Sequence, residues 1–425
     1  MAKSLSDWLR HIESQHSEQI VLTLDRVNAV RIALCQATSC PVIVIGGTNG
    51  KGSVCAMLES VLLSAGYRVG LYTSPHFLRY NERVRINGVP ANDEALCNAF
   101  ESVEGGRDDI PLTYFEFGTL AAWEVFSAAS LDVIILEVGL GGRLDAVNIY
   151  DPDCAVVTTV DMDHMDFLGS DRQQIGFEKA GIFRSGKPAI FGDVDPPKSL
   201  IDYSVQIGAD LKLLNRDFGF ILQEQQWRYW GWRCKRSGLA HPALRGSVQL
   251  KNASIVLAVL DCFANSLPVA MQDVRRGLMA VELPGRFQLV PGRPAIILDV
   301  SHNPQAVAIL AQNMSNMAFY PETWAVFGIM ADKDIAGVIR AIKDRVTRWL
   351  VCTLKGNRAA DAAKLAKLLR EEGITDPIYE FISARDAFNY ALSAANENDR
   401  ILAFGSFLTV AEAMQVLAPA IASRA

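Results

Sequence analysis

The residues best suited to chemistry are GGTNGKGS, positions 46–53. They follow an apolar run, Pro41 to Ile45, and open a segment of helical periodicity, SVCAMLESVLLSAG, that stops at Gly66. Glycines between a strand and a helix let backbone N–H groups crowd around an anion, and the helix N-terminus adds its partial positive charge. Lys51 contributes a point charge and Ser53 a hydroxyl. Two positions depart from the general phosphate-loop pattern G-x-x-x-x-G-K-[ST]. Isoleucine occupies position 45, where the first glycine would stand, and Gly52 intervenes between Lys51 and Ser53. A chance glycine turn would not bring strand, lysine, hydroxyl and helix together. The segment predicts a nucleotide-phosphate site over Thr48, Asn49, Gly50, Lys51, Gly52 and Ser53.

Other polar residues stand where strands end. Glu137 closes the apolar run LDVIILEV (131–138). A carboxylate at the carboxyl end of a strand, facing a phosphate loop, suits Mg2+, a hard cation that prefers oxygen and phosphate; the alternative is a glutamate solvated or paired with Arg143. Ser74 follows the strand-like RVGLYT and precedes a proline, which by itself is the pattern of a turn residue. His164 follows CAVVTTV (154–160) and is flanked by Asp163 and Asp166, an acidic setting that favours a metal or phosphate role. Lys179, in EKAGIF, reads on its own as a solvated helix lysine.

The elements that must hold these residues follow a regular order. Buried-strand runs at 131–138, 154–160 and KPAIF (187–191) alternate with helical or loop segments, which implies a mostly parallel sheet covered on both faces. Between about 200 and 245 the pattern changes to short antiparallel strands, LKLL, FGFILQ and QWRYWGWRC. Their aromatics, Trp227, Tyr229, Trp230 and Trp232, lie beside Arg228 and Arg233 and could stack bases, but packing within a small sheet is the better reading in an acidic chain. After LPGRFQ (283–288) a fresh alternation begins, with strands in AIILDV, WAVFGIM, RWLVCTL, PIYEF and RILAFGSF. The expected architecture is α/β: a P-loop ATPase-like domain over 1–285, mostly parallel with a small antiparallel sheet, and a Rossmann-like domain over 286–425. The Pro- and Gly-bearing stretch 283–294 would be the hinge.

Composition narrows the class. The 425 residues are 50% hydrophobic and 21% charged, with 41 basic against 47 acidic side chains and a net charge of -6. No basic block is present, which disfavours a nucleic-acid partner. The polar start and the absence of a long apolar run (Ser254 to Ala264 is the best and carries Asp261) disfavour a signal peptide or membrane span. Eight cysteines without a C-x-x-C pair point to reduced thiols and a cytoplasmic protein, with a monomer as the default.

GTNGKGS is the form of the phosphate loop in the Mur ligase superfamily, which joins carboxylates to amines using ATP. Within it the chain resembles the bacterial dihydrofolate synthase/folylpolyglutamate synthase family nearly end to end. The resemblance runs through LTLDRV (22–27), YTSPHF (72–77), NERVRING (81–88), TYFEFGTL (113–120), LEVGLGGRLDAVN (136–148), DHMDFLG (163–169), EKAGIF (178–183), LPGRF (283–287), DVSHNP (299–304) and GSF (405–407). It implies that Glu137 and Ser74 hold one magnesium ion and that His164 reaches a second. It also implies that Lys179 is carbamylated by CO2. Asn252, Arg286 and Asp299 match positions that hold ATP, and His302 and, more weakly, Ser406 match the glutamate pocket. Leu22, Thr23, Leu24, Asp25 and Arg26, with Thr113, Tyr114, Phe115 and Glu116 and with Leu144, Asp145 and Ala146, match dihydropteroate contacts. Phe115 offers a flat face for a pterin ring, and Asp25 or Asp145 could meet its donor edge. Thr23 stands where glycine is common and Val147 where threonine is common, so pterin preference is the part of the resemblance these departures touch.

The implied reaction is ATP-driven addition of L-glutamate to 7,8-dihydropteroate and to the γ-carboxylate of reduced folates through an acyl phosphate. Arginines such as Arg26, Arg83 and Arg85 are candidates to hold substrate carboxylates. A monofunctional folylpolyglutamate synthase is the alternative, and LTLDRV speaks for the dual enzyme. A cell-wall ligase would need a UDP-sugar domain before the phosphate loop, where only about 40 residues stand. A nucleotide-dependent regulatory module without ligase activity would not need to retain Lys51, Glu137, His164 and Lys179 together.

Overall fold

The computed structural model describes residues 3–16, 20–356 and 358–422. The chain divides into two compact units. One takes the chain up to Ala243 together with Leu250–Val281; the other takes Leu244–Gln249 and the chain from Glu282 onward.

The first unit is built on eight strands: β1 Val42–Gly46, β2 Val69–Tyr72, β3 Val84–Ile86, β4 Val89–Pro90, β5 Val133–Glu137, β6 Cys154–Val157, β7 Pro188–Phe191 and β8 Asp210–Leu213. Every residue of β1, β2, β5 and β6 is buried. A strand that is apolar at successive positions must be covered on both faces, which is why helices flank this sheet. The order is β4-β3-β2-β5-β1-β6-β7-β8. The strands from β2 to β8 in that order run parallel, and β3 and β4 fold back as an antiparallel edge. Ile45 on β1 pairs in register with Glu137 on β5 and with Val156 on β6, and Tyr72 on β2 pairs with Leu136. The carboxyl ends of β2, β5, β1 and β6 therefore finish side by side, and the four segments that follow them share one edge of the sheet.

The segment read as a helix from Ser53 starts two residues earlier, at Lys51–Ser64. Its stop is the expected one: Gly66 N–H donates to Leu63 O at 2.9 Å and Tyr67 N–H to Leu62 O at 3.1 Å, which closes the last turn. LKLL departs from expectation. It is β8, a parallel edge strand beside β7, rather than part of the antiparallel group. That group is β9 Gly219–Leu222, β10 Trp227–Trp230 and β11 Lys235–Leu239. The polar KRSGL of β11 gave no apolar signal from which to read a strand. Trp227 and Tyr229, two apart on one face of β10, are fully buried, with Trp227 Nε1–H donating to Ala240 O at 2.9 Å and the Tyr229 hydroxyl to Asp261 at 2.8 Å. Packing, rather than an open stacking platform, accounts for these two rings.

The second unit carries β12 Gln288–Val290, β13 Ala295–Leu298, β14 Thr323–Phe327, β15 Arg348–Cys352, β16 Ile378–Phe381 and β17 Arg400–Phe404. Their order is β12-β13-β17-β14-β15-β16, parallel except for β12. β12 lies inside the stretch read as a hinge, so that stretch contributes an edge strand. The core centres on Phe327, Trp349 and Phe404, with the two phenylalanine rings stacked at 4.8 Å. All eight cysteines are free thiols. Among the described residues, no helix is long and apolar enough to cross a membrane.

Candidate active site

The phosphate loop leaves β1 and is tied down by the segment that leaves β6. Thr48 N–H donates to Thr159 O at 2.9 Å, Asn49 N–H to Thr159 Oγ1 at 2.9 Å, and Thr158 Oγ1–H to Asn49 O at 2.7 Å. Thr48 Oγ1–H reaches Asp161 O at 3.2 Å. Residues 158, 159 and 161 were not singled out from sequence, although the polar TTVD after an apolar strand was the available signal. Gly47 has φ +136, and a Cβ there would stand 2.9 Å from the Thr158 backbone nitrogen and closer still to its hydroxyl. Both backbone angle and space demand glycine at this point. Gly50, at φ +93, enters the Lys51–Ser64 helix, and Asn252 Oδ1 stands 2.9 Å from where its Cβ would be. Asn252, buried on the Gln249–Cys262 helix, is thereby brought to the loop. Lys51 Nζ folds back onto Gly47 O at 2.9 Å and Thr48 O at 3.3 Å.

Glu137 is buried at the end of β5, and its Oε2 accepts from Ser74 N–H at 3.2 Å. Ser74 precedes a cis peptide bond to Pro75. Arg143 does not take up Glu137; it pairs with Glu178 at 2.8 Å. His164 adopts a left-handed backbone, φ +53, and is about one-third exposed, with Nε2 3.8 Å from Asp163. Among the described residues no three His, Cys, Asp or Glu side chains converge as a metal cage. Mg2+ rarely uses such a cage: one or two carboxylates with nucleotide phosphates and water suffice, and a buried glutamate beside a phosphate loop fits that donor chemistry.

Lys179 is 4% exposed. Burial, with the charge of Lys51 adding to it, pushes its ammonium down to about 7, against the opposing pull of Asp163 and Asp145. A lysine read from sequence as solvated is thus buried inside the site, where its charged form is disfavoured. Asp145 is also buried, and burial lifts its carboxyl to about 7 although Leu140 N–H donates to it at 2.7 Å and Val147 N–H at 3.1 Å. Both oxygens are engaged in shaping the Gly139–Val147 loop, of which Leu144 and Ala146 form part.

Two N-terminal motifs meet. Thr113 and Glu116 form a capping box at the start of the Tyr114–Ser127 helix, and Glu116 also takes the Arg26 guanidinium at 2.9 Å. LTLDRV is thereby fastened to TYFE, and Leu24, Tyr114, Phe115 and Ala146 pack on one core. Phe115 stays partly exposed, 5.9 Å from the Tyr72 ring. Leu22 and Thr23 lie in the loop before the Asp25–Ala33 helix, and Asp25 is exposed.

The second unit presents its own group at the carboxyl ends of β13 and β17. Asp299 is buried and accepts from Phe287 N–H at 2.7 Å and Ser301 N–H at 2.8 Å, and also from the Ser301 hydroxyl. Burial raises its carboxyl despite these donors and the nearby charge of Arg286. The Arg286 guanidinium lies 5.2 Å from the Phe407 ring. His302 Nδ1 is 2.9 Å from Val300 O, a contact that places the proton on Nδ1, because a carbonyl only accepts. Ser406 Oγ accepts from Leu408 N–H at 3.2 Å at the start of the Phe407–Ala422 helix, and Gly405 N–H donates to Ser301 O at 3.1 Å, which joins the two strand-end loops.

A phosphate loop of this form, a strand-end glutamate and a second α/β unit define a Mur-type ligase. Residues 45–204 match the Mur ligase middle domain, and residues 285–407 match the Mur ligase glutamate ligase domain. The chain is 42% identical to the dihydrofolate synthase/folylpolyglutamate synthase of Escherichia coli K12, over 98% of its own length and 96% of that protein's. Among solved structures it is similar to Escherichia coli FolC in complex with DHPP and ADP, at a TM-score of 0.92 and 41% identity over 100% and 99% of the two chains. It is similar too to a bifunctional folylpolyglutamate synthase/dihydrofolate synthase with Mn, AMPPNP and L-glutamate bound, at 0.90 and 42% over 98% of both. The chain belongs to the dihydrofolate synthase/folylpolyglutamate synthase family.

Proposed function

We infer that this protein is an ATP-dependent carboxylate–amine ligase that adds L-glutamate to 7,8-dihydropteroate, forming dihydrofolate, and to the γ-carboxylate of reduced folates. The observation that carries this reading is the shared sheet edge. The phosphate loop, Glu137, Ser74 and the Thr158–His164 segment leave four neighbouring strands, with buried Lys179 beside Lys51.

The N–H groups of Thr48 to Ser53 and the Lys51 ammonium hold the ATP phosphates, once Lys51 swings from the loop carbonyls it now contacts. Glu137 and Ser74, with His164 at a second position, would hold the divalent cations, which neutralise developing charge on the phosphoryl group when bound. Phe115 and Tyr114, together with the Leu22–Arg26 and Leu144–Ala146 loops, form the wall for the pterin. The substrate carboxylate attacks the γ-phosphorus, the bond to the β-phosphate oxygen breaks, and acyl phosphate and ADP result. The unprotonated amine of glutamate then attacks the acyl carbon, inorganic phosphate leaves, and the nitrogen loses a proton as the amide forms. No side-chain nucleophile takes part. Asn252, Arg286 and Asp299 belong with ATP in this reading, and His302 and Ser406 with the incoming amino acid.

Lys179 is the carbamylation site. Its neutral amine attacks the carbon of CO2, an N–C bond forms and a proton is lost, so a buried neutral amine beside Lys51 becomes an anion. The depressed ammonium supports this, because only the neutral amine reacts.

The acyl-phosphate route is tested with dihydropteroate labelled by 18O in its carboxylate. One labelled oxygen per turnover is expected in the released phosphate. Unlabelled phosphate would mean that the carboxylate never attacks phosphorus.

A further inference from the structure

We propose that Arg83 is the receptor for the carboxylate of the pterin substrate, an inference that rests on the ligase reading above. Three other arginines of this unit, Arg26, Arg79 and Arg85, have acidic partners. Arg26 pairs with Glu116 at 2.9 Å, Arg79 with Asp93 at 2.8 Å, and Arg85 with Glu59 at 3.1 Å. Glu82, next to Arg83, is occupied by the N–H groups of Phe77, Leu78 and Arg79 at 2.7–2.8 Å.

Among the described residues, the side chains that hold Arg83 are neutral. Its Nε–H donates to His76 Nδ1 at 2.9 Å, and its guanidinium lies 5.5 Å from the Tyr80 ring and 5.4 Å from the Tyr114 ring. These contacts fix the plane of the fork and strip part of its water without supplying a negative charge. The ligand that completes such a site is a planar anion able to accept two parallel N–H bonds, which is what a carboxylate offers.

Position selects the carboxylate in question. Arg83 O accepts from Thr73 N–H at 2.9 Å, directly before Ser74. Tyr114 precedes Phe115 in the chain, and the Tyr72 ring bridges to Phe115 at 5.9 Å. Arg83 is thus tied through its backbone to the segment that ends at Ser74 and through its guanidinium to Tyr114 beside Phe115, and the carboxylate tail of an aromatic substrate would pass along this line.

The test compares competition by pteroate and by pteroate carboxamide, which differ only in that anion, in wild-type protein, Arg83→Gln and Arg83→Lys. Dihydropteroate and tetrahydrofolate serve as separate substrates, and KM for ATP is followed in parallel. Arg83→Gln is expected to raise KM for one or both pterin substrates roughly 10- to 100-fold, the scale of a charge-assisted pair. KM for ATP should stay within about twofold, and the preference for acid over amide should collapse, with Arg83→Lys keeping part of it. The arm that moves tells whether the aryl carboxylate or a glutamyl carboxylate is held. An undiminished acid preference in Arg83→Gln, or a parallel rise in KM for ATP, overturns the proposal. If the wild type binds pteroate over its amide through Arg83 yet forms no amide product, the receptor stands and the ligase reading falls.

Discussion

Replacing Lys179 by methionine separates what the fold tolerates from what the reaction needs. The gap between an ordinary lysine at 10.5 and the buried ammonium at about 7 corresponds to about 5 kcal/mol by which burial disfavours the charged form. This is an upper bound, since the fold can relax or admit water around a charge. The sign follows from which state binds more protons. Below about pH 7 both folded and unfolded chains carry the proton, and the penalty is felt in full. Between about 7 and 10.5 the folded chain is neutral while the unfolded chain is still charged, so the penalty fades as pH rises. Methionine fills similar volume without a charge. Lys179→Met should therefore melt several degrees above wild type at pH 7 in CO2-free buffer, and the gap should close toward pH 10, while ligase activity is lost throughout. Scanning calorimetry across that range is the assay. A variant that melts at or below wild type by the same margin at every pH would show that burial does not oppose the Lys179 charge. The same depression raises the supply of neutral amine near neutral pH well above that of an ordinary lysine. In 13CO2-equilibrated protein, one carbamate carbon signal that Lys179→Met lacks is the expected result.

Two other substitutions probe the shared sheet edge. Glu137→Gln keeps the shape of the side chain but removes its charge, so turnover should fall at least 100-fold with the melting temperature nearly unchanged; unaltered turnover in steady-state assays would remove Glu137 from the reaction centre. Gly47→Ala must strain a φ of +136 and press on Thr158, so ADP affinity by calorimetry should drop at least tenfold, and an unchanged Kd would show that the loop does not need this glycine.

The sequence was most legible where backbone chemistry leaves a local signature. The phosphate loop is legible because glycines at 47 and 50 answer to positive φ and close approach, and the Gly66 stop because a helix end needs its carbonyls closed. Strand-end placement of Glu137 followed from reading the short apolar run before it, rich in β-branched residues, as a buried strand. Pairing partners were harder. LKLL carries no mark to tell a parallel edge from a hairpin, and KRSGL of β11 lacks apolar alternation because only Leu239 in it is buried. The environments of Lys179, Asp145 and Arg83 lay beyond local reading, since each is set by residues from distant segments: Lys51 and Asp163 around the lysine, and Tyr114 over the arginine.

The most direct test of the central claim is product mass spectrometry with ATP, Mg2+ and L-glutamate, supplying dihydropteroate and tetrahydrofolate in separate reactions. Each should gain the mass of one glutamyl residue, with one ADP formed per amide bond. Product from tetrahydrofolate alone would contradict the dual assignment and the pterin role given to Leu22–Arg26, and product from neither would contradict the ligase reading itself.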